Sequence, residues 1–385
     1  MSAPLEGLRV IELARILAGP WIGQTLADLG ADVIKVESAE GDDTRRWGPP
    51  YIDDAQTPSA AYFHACNRGK RGMVLDFSTA EGQAAVKTLI LTADVVVENF
   101  KVGALAKYGL DYASLSKDHP RLIYCSITGF GQTGPQAQRA GYDFMIQGIS
   151  GIMDLTGEPD GAPQKIGVAF ADIFSGLYGV VGIQAALLQR ARTGRGQQVD
   201  ISLLDCMGGV LANQAMNYLA TGTAPKRLGN AHPNIAPYQT VPVSDGHIII
   251  ACGNDAQFAR LAILLDLADM ALDPRFAANA ARVENRDGLT AAIEDRTRLW
   301  TKADLLGRLE AIGVPAGPIN TVAELFADVQ FRSRNMQIDV DGVPGVRTPL
   351  VFSEAQLALS RRAPRLGEHT QDILKELSDR APSRE

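Results

Sequence analysis

Asp172 has the setting that points most directly to chemistry. It lies in Gly167-Val168-Ala169-Phe170-Ala171-Asp172-Ile173-Phe174-Ser175-Gly176-Leu177-Tyr178-Gly179, a lone carboxylate among apolar neighbours where a helical pattern begins. Two readings stand side by side. Asp is a good N-cap that accepts hydrogen bonds from first-turn amides, and on residue pattern alone this reading is the stronger. A helix N-terminus also favours the charged form of a carboxylate, and an ionised Asp is a covalent nucleophile that needs no general base. Gly176 and Gly179 would let a ligand or another backbone approach closely.

Other segments carry weaker signals. Arg139-Ala140-Gly141-Tyr142-Asp143 offers a second carboxylate and a cation, or simply a turn with a surface ion pair. Gly41-Asp42-Asp43-Thr44-Arg45-Arg46-Trp47-Gly48-Pro49-Pro50 is a polar loop, and Arg suits bidentate recognition of carboxylate or phosphate. Gly129-Phe130-Gly131-Gln132-Thr133-Gly134 spells GxGxxG after a strand. Pro135 follows at once with no evident helix, so it reads as a turn rather than a nicotinamide site, which would need helix amides facing the pyrophosphate. None of His64, His119, His232, His247 and His369 is spaced to share a metal, and no GxSxG elbow or Walker loop occurs.

The elements that position these residues alternate. Leu8–Leu13 reads as a strand, about 21–29 as a helix, Ala31–Glu37 as a strand, Gly72–Leu75 as a strand, about 79–91 as a helix, and Asp94–Glu98 and Leu122–Ile127 as strands. Strand–helix alternation implies parallel strands with crossover helices, a doubly wound, Rossmann-like α/β sheet. Ligands bind such sheets beyond the carboxyl ends of the strands, so the loops after Leu13, Val36, Glu98 and Ile127 are the ones to watch. From about 173 to 219 the pattern is mainly helical, broken at Thr193-Gly194-Arg195-Gly196. We divide the chain into a large α/β domain over 1–219, a smaller α+β domain over 220–325, and a segment over 326–385 that returns to the large domain.

With 37 Lys+Arg against 44 Asp+Glu, the 385-residue chain has a net charge of −7. That balance disfavours wholesale binding to nucleic acid or anionic membrane. Cys66, Cys125, Cys206 and Cys252 are scattered, with no CxxC pair, which suits a reducing cytoplasm and suggests neither zinc site nor disulfide framework. The N-terminal segment does not read as a signal peptide. No apolar stretch reads as long enough to cross a bilayer. Residues 173–188 come closest, but Ser175, Gly176 and Gln184 interrupt them, and they read as a buried helix.

Taken in order, several segments resemble the class III CoA-transferases, the carnitine-CoA/formyl-CoA transferase family that also holds the α-methylacyl-CoA racemases. They are Leu5–Glu12, Ala18-Gly19-Pro20, Leu29–Glu37, Asn67–Arg71, Val97-Glu98-Asn99-Phe100, Gly194-Arg195-Gly196-Gln197, Pro237-Tyr238-Gln239, Asp245-Gly246 and Gly313–Pro318. The likeness spans nearly the whole chain. It implies two domains and an interlocked homodimer, with acyl-CoA and carboxylic acids as substrates and no permanently bound cofactor. It places the family's catalytic aspartate on Asp172, acting through a mixed anhydride and an aspartyl-CoA thioester.

The resemblance also assigns supporting positions. Arg15, Ile16 and Leu17 match the loop after the first strand that contacts the site in oxalate-type members. Lys107 and Tyr108 match CoA contacts, Asn99 and Phe100 are expected to line the pocket, and Lys107 and Arg139 to meet CoA phosphates. Where the racemases carry a His–Asp pair this chain has Tyr142-Asp143. A phenol of pKa near 10 is a poor base at neutral pH, which favours transfer over racemisation, with carnitine-type transfer still open. The Gly41–Pro50 loop, Ile123–Gly129, Gln132–Pro135 and Gln138–Asp143 are similar to the succinate–hydroxymethylglutarate CoA-transferases. That likeness implies succinyl-CoA as donor and a dicarboxylate acceptor such as glutarate, itaconate or hydroxymethylglutarate, with Arg45 or Arg46 on its distal carboxylate. A CoA-binding protein without turnover and, more remotely, a nicotinamide oxidoreductase are the competing classes.

Overall fold

Six short strands rich in β-branched residues set the frame: β1 (Arg9–Glu12), β2 (Asp32–Glu37), β3 (Arg71–Val74), β4 (Val95–Glu98), β5 (Ile123–Thr128) and β6 (Gln198–Ser202). In the computed structural model, which describes residues 1–52 and 58–380, they form one sheet in the order β3-β2-β1-β4-β5-β6. Every pairing in it is parallel. This is the doubly wound order in which the chain steps outward from β1 to β3 and then restarts on the other side at β4.

Alternation along the strands divides the core into two layers. Val10, Val33, Val95, Ile123 and Ile201 face the Ala18–Asp28 and Phe170–Thr193 helices together with Ile22, Leu26, Val180 and Ile183. Ile11, Ile34, Val96 and Tyr124 face the other way, against Val86, Leu89 and Ile90 and against Ile373 and Leu377 of the terminal helix Thr370–Arg380. The edge at β3 is covered rather than open, because Gly72 and Val74 donate their amides to His369 Nδ1 (3.1 Å) and Thr370 Oγ1 (3.0 Å).

Two local readings need correction. β6 falls within the stretch read as mainly helical; its alternation, Val199 and Ile201 inward among polar residues, spans only five positions. The Phe170–Thr193 helix runs for 24 residues and is, by length and composition, long and apolar enough to cross a bilayer. Gly176, Gly179 and Gly182 do not break it, since each faces a neighbour that needs the space. A methyl at Gly179 would overlap Ile22, and one at Gly176 would lie 3.0 Å from Trp21. The Ala18–Asp28 helix thus packs closely on Gly176 and Gly179, and Val199 of β6 on Gly182.

Residues 1–152, 165–221 and 332–385 form one compact unit, and 153–164 with 222–331 form the second. The second unit holds a three-stranded antiparallel sheet of Tyr238–Val243, Gly246–Ala251 and Ala316–Pro318. Helices Asp255–Leu264, Arg286–Thr297 and Lys302–Ala311 bury Phe258, Leu289, Ile293, Leu305 and Leu309 in its core.

Candidate active site

The strand order reverses between β1 and β4, and there the two diverging loops leave a crevice. A cavity of 390 Å³ occupies it. Arg15–Ala18 after β1, Asn99–Val102 after β4, Ile127–Gly129 at the end of β5, Arg139–Asp143 and Asp172 all line it.

The β1 loop is held from two sides. Asn99 accepts from the Arg15 amide (3.0 Å) and donates to the Arg15 carbonyl (2.7 Å). The next residue, Ile16, has φ 72°, a left-handed conformation that is strained for a β-branched side chain. Its amide donates to the Asp42 carboxylate at 3.2 Å. Asp42 in turn accepts from Lys35 at 2.9 Å, and Lys35 shares the wholly buried Glu12 carboxylate with Lys70, at 3.1 and 2.8 Å. Burial disfavours the charge on Lys35, but Glu12, Asp42 and Glu37 overcome it and raise its pKa, whereas burial pulls that of Lys70 down. Buried charges persist only when paired in this way. The cavity wall is thereby anchored to a charged network inside the sheet.

Asp172 occupies the first turn of the Phe170–Thr193 helix, but its side chain does not cap it. The cap is supplied from elsewhere in the chain. Asp143 Oδ1 accepts from the Ala171 amide (2.8 Å) and, more weakly, from the Asp172 amide (3.4 Å). Among the described residues nothing donates a hydrogen bond to the Asp172 carboxylate, which is left free on the cavity wall. Burial first, and then the Asp143 charge, push its pKa up to about 7. The expectation of an anion stabilised at a helix N-terminus therefore gives way to a carboxyl whose pKa burial raises, while the first-turn amides that would oppose the rise are engaged by Asp143. Tyr62, which the sequence did not single out, feels the same environment. Burial and then the Asp172 charge push its phenol up to about 12.

The remaining candidates divide. Arg15, Ile16, Leu17, Asn99, Phe100, Arg139, Tyr142, Asp143 and Asp172 meet around one cavity. Tyr142 is 69% exposed, and Arg139 lies over the Phe130 ring at 5.2 Å. Lys107 and Tyr108 lie off the cavity, with Lys107 Nζ 4.6 Å from the Tyr108 ring and Tyr108 packed on Phe77. Arg45 has other work. It pairs with Glu37 through Nε (2.8 Å) and Nη2 (2.7 Å), donates to the Pro364 carbonyl and stacks on Phe63. Arg46 bonds the Glu40 carbonyl and Asp43 at the surface, and neither arginine lines the cavity. Lys101, exposed at the cavity edge, is a cation that sequence reasoning missed. Its position two residues after Asn99 was the available signal. The GxGxxG segment forms a turn with no helix behind it, the Gly131 amide donating to Thr128 Oγ1 and the Gln132 amide to Asp200.

Comparison with known proteins adds independent findings. The family model described as CoA-transferase family III matches residues 5–370. The chain is 56% identical over 382 residues to a succinate–glutarate CoA-transferase of Agrobacterium fabrum, covering 97% of this chain and 96% of that one. It is 39% identical to the human succinyl-CoA:glutarate CoA-transferase, covering 97% and 86% respectively. A crystal structure of a CAIB/BAIF family protein from Brucella suis superposes with a TM-score of 0.89 at 67% identity, covering 98% of this chain and all of that one.

Proposed function

Because the chain belongs to CoA-transferase family III, we propose that it carries coenzyme A from succinyl-CoA to glutarate or a kindred dicarboxylate, with Asp172 as the nucleophile. The observation that carries this reading is the free Asp172 carboxylate on the wall of the switch-point cavity. A group with a pKa of about 7 is substantially ionised at neutral pH and can attack without a general base.

The bonds balance as follows. An Asp172 oxygen attacks the thioester carbonyl, the C–S bond breaks, and CoA thiolate leaves a mixed anhydride. The thiolate attacks the aspartyl carbonyl and releases succinate, giving aspartyl-CoA. The acceptor carboxylate attacks that thioester and expels the thiolate. The thiolate then attacks the acceptor carbonyl and restores the Asp172 carboxylate. Thioester energy is conserved throughout, so no ATP is consumed. Each addition builds an oxyanion that hydrogen-bond donors in the cavity must stabilise.

Arg15, Lys101 and Arg139 supply the positive charge around the cavity for CoA phosphates and the acceptor's distal carboxylate. Arg45 is not among them, being committed to Glu37. Tyr142, in place of the racemase histidine, supports transfer over α-proton exchange.

An interlocked homodimer is part of the same reading. Phe144, Val181 and Leu188 are 59%, 60% and 71% exposed, an apolar surface that suits coverage by a second copy. Light scattering that returned the mass of one chain would refute it.

Intact-protein mass spectrometry after incubation with succinyl-CoA tests the chemistry. An acyl or CoA adduct on the wild type, absent from Asp172→Ala, is the expected result. No adduct with any of a panel of acyl-CoAs would overturn the proposal.

A further inference from the structure

Gln147 takes no part in the acyl steps, yet it is fully buried beside them, at 0% exposure. Burying a primary amide is unfavourable unless its donors and acceptor are used, and here they are. Nε2 donates to Asp143 Oδ2 (2.8 Å), with a longer contact to the Val168 carbonyl (3.4 Å). Oε1 accepts from the Ile166 amide (2.9 Å). The same carboxylate that Gln147 holds through Oδ2 reaches the nucleophile's helix through Oδ1, at the Ala171 and Asp172 amides. One side chain therefore ties together the segment entering the Phe170–Thr193 helix and the residue that caps that helix.

We infer that Gln147 is a positioning residue for the nucleophile: by fixing the rotation of the Asp143 carboxylate it keeps the capping oxygen on the helix amides and leaves the Asp172 carboxylate free to attack. The inference rests on the aspartyl-transfer reading of Asp172. A carboxylate has two equivalent oxygens and a soft terminal torsion. Without its partner on Oδ2, Asp143 can rotate, loosen the first turn and bring its charge against the nucleophile. Misplacement of a reacting group by about 1 Å can cost on the order of 100-fold in rate.

The test uses the full-length enzyme with succinyl-CoA and glutarate. Gln147→Met keeps the shape and removes the polar atoms. It is expected to slow adduct formation in single turnover about 10- to 100-fold, with KM for succinyl-CoA changed by less than about 2-fold. Gln147→Glu supplies the discriminating readout. Only the protonated form of the introduced carboxyl can donate to Asp143, so the deficit relative to wild type should shrink as pH falls. A merely structural tie would give no such recovery. Adduct formation by Gln147→Met at the wild-type rate would overturn the inference. So would equal losses in both variants that follow the folded fraction at every pH. A wild type that forms no adduct would instead overturn the parent reading and this one with it.

Discussion

Replacing Asp172 by Asn should abolish turnover and, above neutral pH, make the protein more stable. The carboxyl rises from an ordinary value of 3.8 to about 7, through burial and then the Asp143 charge. Between those values the folded protein holds a proton that the unfolded chain has released. Wild-type stability therefore falls as pH rises from about 4 to about 7 and stays lowered above that. A shift of about 3 units at about 1.4 kcal/mol each sets a ceiling of about 4 kcal/mol. The helix N-terminus and solvent in the cavity oppose it, leaving about 1–3 kcal/mol. Asp172 caps nothing through its side chain, so the amide forfeits no hydrogen bond in exchange. Thermal melts of both proteins from pH 5 to 8.5 measure the effect, at roughly 2–4 °C per kcal/mol for a domain of this size. The variant's advantage should be partial at pH 5 and grow to its full size by pH 8. A variant no more stable than wild type at pH 8.5, or equally stabilised at pH 5, would refute the claim that the cavity desolvates this carboxylate.

Two further outcomes follow from the same geometry. Asp143→Asn removes the charge beside Asp172, so the acidic limb of the single-turnover rate should move to lower pH than in the wild type; an unmoved limb would mean that the Asp143 charge does not act on Asp172. Arg45→Ala should lower stability by about 2–4 kcal/mol by leaving the Glu37 carboxylate unpaired, with the glutarate KM of the folded enzyme little changed, and steady-state kinetics beside chemical denaturation would show the reverse if Arg45 bound substrate.

The inner strands were legible because runs such as Val10-Ile11 and Val95-Val96-Val97 bury both faces of a parallel strand. The carboxyl-end rule then pointed to the loops after β1 and β4, which line the cavity. β6 was not legible, since Gln198-Val199-Asp200-Ile201-Ser202 is short and half polar and lies between helices. At the site, residue type alone could not distinguish a capping Asp from a capped one. The exchange of roles between Asp143 and Asp172 depends on a contact across 28 positions, which no local pattern encodes. The contacts of Arg45 were hidden for a similar reason. Its partners Glu37 and the Pro364 carbonyl lie 8 and 319 positions away, so a loop arginine that looked available is a rivet between distant segments.

The anchoring of the β1 loop bears on how this enzyme can change. Beside the Asn99 clamp on Arg15, the left-handed Ile16 gives its amide to Asp42, and Asp42 is tied to Lys35 and hence to Glu12 and Lys70. A substitution at any of these positions should disturb the others, so that wall should tolerate few stepwise changes. Across the cavity, Arg139, Ala140 and Tyr142 are exposed and free of that network. Natural drift toward a new acceptor acid, or a laboratory library meant to imitate it, should find its tolerated and productive changes on that side. The opposite wall should persist as the inherited part.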